Sequence, residues 1–316
     1  MHLTDLPPVT LHLGAHRTAT SSLQRQLARR IDLSRQNSVA VWTPNITRGG
    51  LLAGLMGDPG RQDARRDAMA NRAAGGVSMR RQGLSDAGVT RLVISDENML
   101  GGLRENVLLG RLYPTAGARL RRLASAVPGI DHIALALRSP DTWWASTFAF
   151  LMTRGFAPPD RTTLDAILRS RRGWRAVIED LNAALPRARI SVWLHEEMAP
   201  QPDAVCDLLT GVTATSAGQA PKLNASPGVV ALRQRLREEG CMTEIDGVGD
   251  SYAPFTPDER AALRDAYGED LAWLRGGADG LATLVTRRSQ DTVPRDRKGS
   301  GYGRPKRPQG ALGWAG

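Results

Sequence analysis

Residues 11–24 are the part of the sequence that most limits the fold, with the order Leu-His-Leu-Gly-Ala-His-Arg-Thr-Ala-Thr-Ser-Ser-Leu-Gln. A short apolar run leads through a hydroxyl-rich turn into a helical pattern. Backbone N–H groups at a helix start converge on one point, where the helix dipole adds positive potential. Arg17 adds a full charge there. The stretch therefore predicts a strand, a loop and a helix that bind phosphate, although the Gly-Lys-Ser/Thr of a Walker A loop is absent.

Short apolar runs bounded by turn residues recur along the chain. They predict buried strands at residues 9–13, 38–42, 91–95, 132–137 and 189–194. Amphipathic stretches with helical spacing lie between them. This alternation predicts a single α/β domain with a central, mainly parallel sheet of about five strands flanked by helices. Ligands of such sheets bind beyond the carboxyl ends of the strands, where the candidate site residues fall.

The predicted domain covers residues 1–288 and includes one unusual segment. Residues 49–83 are rich in Gly, Arg and Met and predict a helical insertion with flexible joints. Its arginines suit either a solvated helix face or a cap over a substrate. From residue 289 to 316 the chain is basic and rich in Gly and Pro without periodicity, which predicts a disordered tail.

Composition narrows the class of partner. The net charge of +10 favours anionic partners such as nucleotides, sulfated glycans or nucleic acid. Cys206 and Cys241 form neither a disulfide framework nor a metal-ligand spacing, which favours a reducing compartment. The N-terminus lacks the pattern of a signal peptide, and no apolar stretch reaches membrane-spanning length. We expect a cytoplasmic protein without a membrane span or a metal.

A second candidate phosphate site follows the strand at residues 132–137. Arg138 ends this strand, Pro140 comes two residues later, and Ser146 falls eight residues after Arg138 on the next helix. A forked guanidinium and a nearby hydroxyl suit one phosphate group. A strand-end arginine in a structural salt bridge is the alternative interpretation.

Asp96 and Glu97 follow the strand at residues 91–95 and have three interpretations. Glu97, or else Asp96, could act as a general base that removes the proton from a substrate hydroxyl group. The pair could instead hold Mg²⁺, as in a nucleoside triphosphatase. Ser95 or Asp96 could also cap a helix. His16, beside the first loop, is a second candidate base, or else a side chain that binds the substrate whose proton is removed.

The two phosphate sites resemble those of sulfotransferases that use 3′-phosphoadenylyl sulfate (PAPS). In that family a Lys–Ser/Thr–Gly–Thr/Ser–Thr/Ser loop follows the first strand and binds the 5′-phosphosulfate. Bacterial members often have His-x-Gly-x-His before it and Leu-Gln after it, as at residues 12–16 and 23–24 here. Arg138, Pro140 and Ser146 match the family's 3′-phosphate motif in all three positions.

The resemblance implies a sulfotransferase that moves a sulfuryl group from PAPS to a hydroxyl or amine of a small molecule or glycan, and not to nucleic acid. The catalytic residues implied are Arg17, Glu97 and His16. The implied PAPS-binding residues are Arg17, Thr18, Ala19, Thr20, Ser21, Ser22, Arg138 and Ser146.

Three positions depart from the family pattern. Arg17 replaces the family's lysine and can neutralise a leaving phosphate, but it holds its proton too tightly to act as an acid. Ala19 replaces a glycine and would be strained at positive φ. Ser22 stands where a tryptophan often stacks on adenine, so the adenine partner is unassigned. Two other functions stay open: an ATP-dependent kinase, and a non-catalytic binder of acidic glycans descended from a sulfotransferase.

Overall fold

Six parallel strands form the central sheet of the computed structural model, which describes residues 6–33, 38–213 and 225–286. The sheet has the order β2-β3-β1-β4-β5-β8. Its strands are β1 (Val9–His12), β2 (Val39–Trp42), β3 (Arg91–Ser95), β4 (Ile130–Leu137), β5 (Arg189–Leu194) and β8 (Thr283–Leu284). Strands β6 (Gly247–Val248) and β7 (Ser251–Tyr252) pair separately as an antiparallel hairpin. The predicted α/β class is confirmed, and β8 was missed because two residues are too few to show a period.

Helices connect the strands and cover both faces of the sheet. They are α1 (Thr20–Leu33), α2 (Pro44–Ile46), α3 (Ala64–Asp86), α4 (Leu103–Leu109), α5 (Ala116–Ala126), α6 (Pro140–Met152), α7 (Arg161–Arg169), α8 (Trp174–Ala184), α9 (His195–Met198), α10 (Pro202–Thr210), α11 (Val229–Glu238) and α12 (Pro257–Arg275). None of the helices in the described ranges combines the length and apolar character needed to cross a bilayer. The basic tail predicted at residues 289–316 lies outside the described residues.

Alternate residues of the central strands face opposite sides of the sheet, as strand geometry requires. In β3, Leu92 and Ile94 belong to a large core that includes buried side chains of α3, α5, α6 and α8. Val93, between them, belongs to a smaller core with α1 and α10. The strands therefore bury apolar residues on both faces, as expected for a parallel sheet covered on both sides.

Helix α3 belongs to the crossover between β2 and β3, whereas the sequence predicted residues 49–83 as an insertion. Its buried residues Ala70, Ala73, Val77 and Arg81 recur at helical spacing, and the first three belong to the larger core. The Asp63 side chain caps its first turn by accepting a hydrogen bond from Arg66 N at 2.8 Å. The segment is thus joined to α5 and the larger core by its own apolar stripe.

Arg81 ties α3 to the loops that precede β1 and β4. It is 1% exposed and donates hydrogen bonds to Pro7 O and Pro128 O. We expect Arg81→Ala to lower the free energy of unfolding by about 3 kcal/mol, because two buried carbonyl groups lose a charged donor. The exposed neighbour Arg80→Ala is the control and should change stability by less than about 0.5 kcal/mol in urea denaturation. Equal effects of the two substitutions would contradict this role.

Candidate functional site

A cavity of about 630 Å³ lies beyond the carboxyl ends of β1, β4 and β5. Every residue predicted for the site lines it: His16, Arg17, Thr18, Ala19, Thr20, Ser21, Ser22, Glu97, Arg138 and Ser146. The rest of the wall is largely apolar and comes mainly from α9, α10 and the chain before α11. No lining residue comes from residues 49–83. The fold therefore gathers the predicted residues at one place, while their roles stay predictions.

Gly14 allows the chain to turn from β1 toward the cavity. It has φ +91°, and a Cβ at this position would lie 2.8 Å from Glu97 Cβ. Only glycine fits both the positive φ and the close approach. The loop that follows therefore runs directly against the residues after β3.

Two threonines hold the loop in shape. The hydroxyl groups of Thr18 and Thr20 each donate a hydrogen bond to Ala15 O at 2.7 Å. In this arrangement their protons point at the loop's own backbone and not into the cavity. Thr18 and Thr20, which the sequence predicted as phosphate ligands, thus first serve to organise the loop.

Arg17 joins three parts of the chain. Its Nε donates to Ser146 Oγ at 3.0 Å, and its Nη2 donates to Ser226 Oγ at 2.9 Å. The two serine oxygens lie 2.8 Å apart. Ser226 was not predicted as a site residue. No local pattern could reveal a contact across 209 positions.

Arg138 lies directly behind the loop. Its Nη1 donates to Arg17 O at 2.7 Å, and its Nε donates to Thr142 Oγ1 at 3.2 Å. Burial lowers the pKa of Arg138. Burial also lowers the pKa of Arg17 to about 10, with added repulsion from Arg138 and Arg154. An anion bound between these guanidinium groups would relieve that repulsion.

Asp96 is fully buried and acts as a helix cap. It accepts hydrogen bonds from Asn98 N at 3.0 Å, from Arg48 Nη2 at 2.6 Å and from the Thr47 hydroxyl. Asp96 does not line the cavity. Of the interpretations that the sequence left open for it, the structure supports the cap.

Glu97 is the carboxylate of the pair that reaches the cavity. Its Oε1 accepts from Arg48 Nη2 at 2.9 Å, and its Oε2 accepts from Gln24 Nε2 at 3.1 Å. Burial by itself raises the pKa of Glu97, but His16, a backbone N–H and Arg48 outweigh it and lower the pKa below the usual 4.5. Glu97 is therefore ionised at neutral pH and fixed in direction.

Both ring nitrogens of His16 are engaged. Nδ1 lies 3.0 Å from the Tyr113 hydroxyl, and Nε2 lies 3.1 Å from Asn98 Oδ1. Burial lowers the pKa of His16, although the nearby charge of Glu97 opposes that shift. One ring nitrogen of His16 faces a hydroxyl group and the other faces an amide oxygen. Neither nitrogen therefore has a lone pair directed at a substrate in the cavity. This geometry favours Glu97 over His16 as the base.

No family model matches the chain, and no curated protein matches it. Among solved structures, it is similar to the 54 kDa signal recognition particle protein from Aeropyrum pernix K1 in complex with GDP, with a TM-score of 0.28 and 14% sequence identity. The match covers 87% of this chain and 53% of that chain, so this chain spans about half its length. A likeness at this TM-score carries no argument about function.

Ala19 adopts φ +63° in the loop, a region that disfavours residues with a Cβ. Ala19→Gly should remove about 1–2 kcal/mol of strain and cost about 0.5–1 kcal/mol in chain entropy. We expect unchanged or higher stability in urea denaturation. Ala68→Gly, at an exposed position within α3, is the matched control and should destabilise by about 1 kcal/mol. Equal losses in both variants would show that the loop does not strain Ala19.

Proposed function

We propose that the protein transfers a sulfuryl group from PAPS to a hydroxyl or amine acceptor. The observation that carries this proposal is the 2.7 Å hydrogen bond from Arg138 to Arg17 O. It brings the residues that match the family's 3′-phosphate motif against the loop that matches its 5′-phosphosulfate motif. The resemblance to the family assigns these two segments to the two ends of one nucleotide.

The character of the cavity supports the same ligand. Its volume of about 630 Å³ falls within the range of roughly 300–1,000 Å³ typical of small-molecule sites. Arg17 and Arg138 supply positive charge at one side, as an anionic nucleotide requires. The wall also offers an apolar surface for a nucleobase, formed by Leu23, Trp193, Met198, Pro200, Pro202 and Val205.

Bound PAPS would supply the activated sulfuryl group and leave as adenosine 3′,5′-bisphosphate. Arg138 and Ser146 would bind the 3′-phosphate by charge-assisted hydrogen bonds. Arg17, with the start of α1, would neutralise the charge that develops on the departing 5′-phosphate. Glu97 would accept the proton of the acceptor hydroxyl or amine on a carboxylate oxygen as the new bond to sulfur forms.

The kinase alternative has less support from the site. A kinase of this class would use strand-end carboxylates to hold Mg²⁺. Here the Arg48 guanidinium lies 2.6 Å from Asp96 Oδ1 and 2.9 Å from Glu97 Oε1, so a cation of the chain already pairs with both carboxylates. A non-catalytic binder of acidic glycans would keep the arginines but would not need Glu97 in the cavity.

Nucleotide binding tests the proposal directly. In metal-free buffer, we expect calorimetry to detect binding of adenosine 3′,5′-bisphosphate and weaker binding of ATP. Arg138→Ala should weaken the bisphosphate about tenfold or more, since a charged donor is lost. Arg237→Ala, at an exposed position of α11, is the control and should bind as wild type does. Preference for ATP, or a requirement for Mg²⁺, would favour the kinase.

Replacing Glu97 tests the base. Glu97→Gln keeps the shape of the side chain and should lower kcat about 10²- to 10⁴-fold, with little change in bisphosphate affinity. Because the pKa of Glu97 is lowered and the base must be ionised, wild-type turnover should fall only below about pH 4.5. Turnover is measured with labelled PAPS and an acceptor found by screening. Glu269→Gln, on the exposed surface of α12, is the control, and full activity of Glu97→Gln would contradict the assignment.

A further inference from the structure

Ser226 brings to the cavity a segment of the chain that neither phosphate motif includes. It lies three residues before the start of α11, and its Oγ is 2.8 Å from Ser146 Oγ on α6. Both serines line the cavity. Ser146 belongs to the motif that the resemblance assigns to the 3′-phosphate. Two hydroxyl groups from separate parts of the chain therefore lie within reach of one ligand group.

Arg17 holds the oxygens of both serines. Its Nε donates to Ser146 Oγ at 3.0 Å, and its Nη2 donates to Ser226 Oγ at 2.9 Å. A hydroxyl oxygen accepts through its lone pairs, so these two bonds use neither serine proton. One serine donates its proton to the other. Among the hydrogen bonds of the described residues, none takes up the proton of the second serine, which can therefore bond an oxygen of a ligand in the cavity.

The charge around the two serines favours an anion as that ligand. Phe150, one turn after Ser146 on α6, also lines the cavity. The guanidinium carbons of Arg17 and Arg154 lie 4.8 Å and 4.2 Å from the centre of its ring. Burial and repulsion from Arg138 and Arg154 lower the pKa of Arg17. A phosphate group beside the serine pair would offset this repulsion.

The core and the β6–β7 hairpin hold the segment that carries Ser226. Val229, Leu232 and Leu236 of α11 are buried in the larger core. Val229 N also donates to Asp250 O, in the turn of the hairpin, at 2.8 Å. Ser226 lies only three residues before Val229, so its position beside the cavity is set by packed structure.

We infer that Ser226 binds the 3′-phosphate of the nucleotide together with Ser146, and that it strengthens the preference of the site for a 3′-phosphorylated nucleotide. This inference rests on the proposed function and names a further specificity residue of the same site. Each serine can turn its proton to a phosphate oxygen while Arg17 continues to hold its own oxygen. The 3′-phosphate then receives two hydroxyl donors in addition to the guanidinium of Arg138.

Two nucleotides that differ only in the 3′-phosphate test the inference. Calorimetry on the full-length protein in metal-free buffer gives the Kd for adenosine 3′,5′-bisphosphate and for adenosine 5′-monophosphate. We expect Ser226→Ala to weaken the bisphosphate about tenfold, because one hydrogen bond to a charged group is lost. Binding of the monophosphate should not change, which also shows that the variant is folded. Ser125→Ala removes an exposed hydroxyl from α5 and is the control, with both nucleotides bound as by the wild type.

The same measurements show how the inference could fail. An equal loss for both nucleotides would mean that Ser226 shapes the cavity and does not bind the 3′-phosphate. A bisphosphate preference that Ser226→Ala keeps in full would overturn this inference and leave the proposed function standing. If the wild type does not prefer the bisphosphate to the monophosphate, the proposed function fails and this inference fails with it.

Discussion

The site depends on how the carbonyl groups of the loop after β1 are satisfied. Ala15 O accepts from the hydroxyls of Thr18 and Thr20, His16 O accepts from Trp143 Nε1 at 2.8 Å, and Arg17 O accepts from Arg138. Three successive carbonyls are thus bound by side chains of the protein itself. A loop whose carbonyl oxygens are engaged in this way presents less negative potential to an incoming anion.

The same contacts join the loop to the core. Trp143 is fully buried and packs near Trp144, Trp174 and Tyr113, and the Tyr113 hydroxyl bonds both the backbone and the ring of His16. The burial of large aromatic groups stabilises this region. That stabilisation offsets the cost of placing Arg17 and Arg138 close together and of holding Ala19 at positive φ. The shape of the site is therefore maintained by the core behind it.

The charged groups around the cavity are arranged in two sets. Arg17 and Arg138 lie together, and repulsion contributes to the lowered pKa of Arg17. Glu97 lies apart from them, paired with Arg48 and Gln24. The proposed transfer from an anionic donor to a protonated acceptor would need both environments, one for the leaving group and one for the proton. Glu97, Arg17 and Arg138 follow the neighbouring strands β3, β1 and β4 of one sheet.

The sequence by itself determined the α/β class, the positions of the long strands, and the segments that meet at the cavity. Apolar periodicity and turn residues act over a few neighbouring positions, and the carboxyl ends of parallel strands lie at one edge. Only the tertiary structure decided that Ser226 joins Arg17 and Ser146, that Arg48 and Gln24 orient Glu97, and that both nitrogens of His16 are occupied. It also packed α3 against α5 and the larger core, where the sequence suggested an insertion. These contacts join residues far apart in the chain, and the direction of a side chain is set by what packs against it.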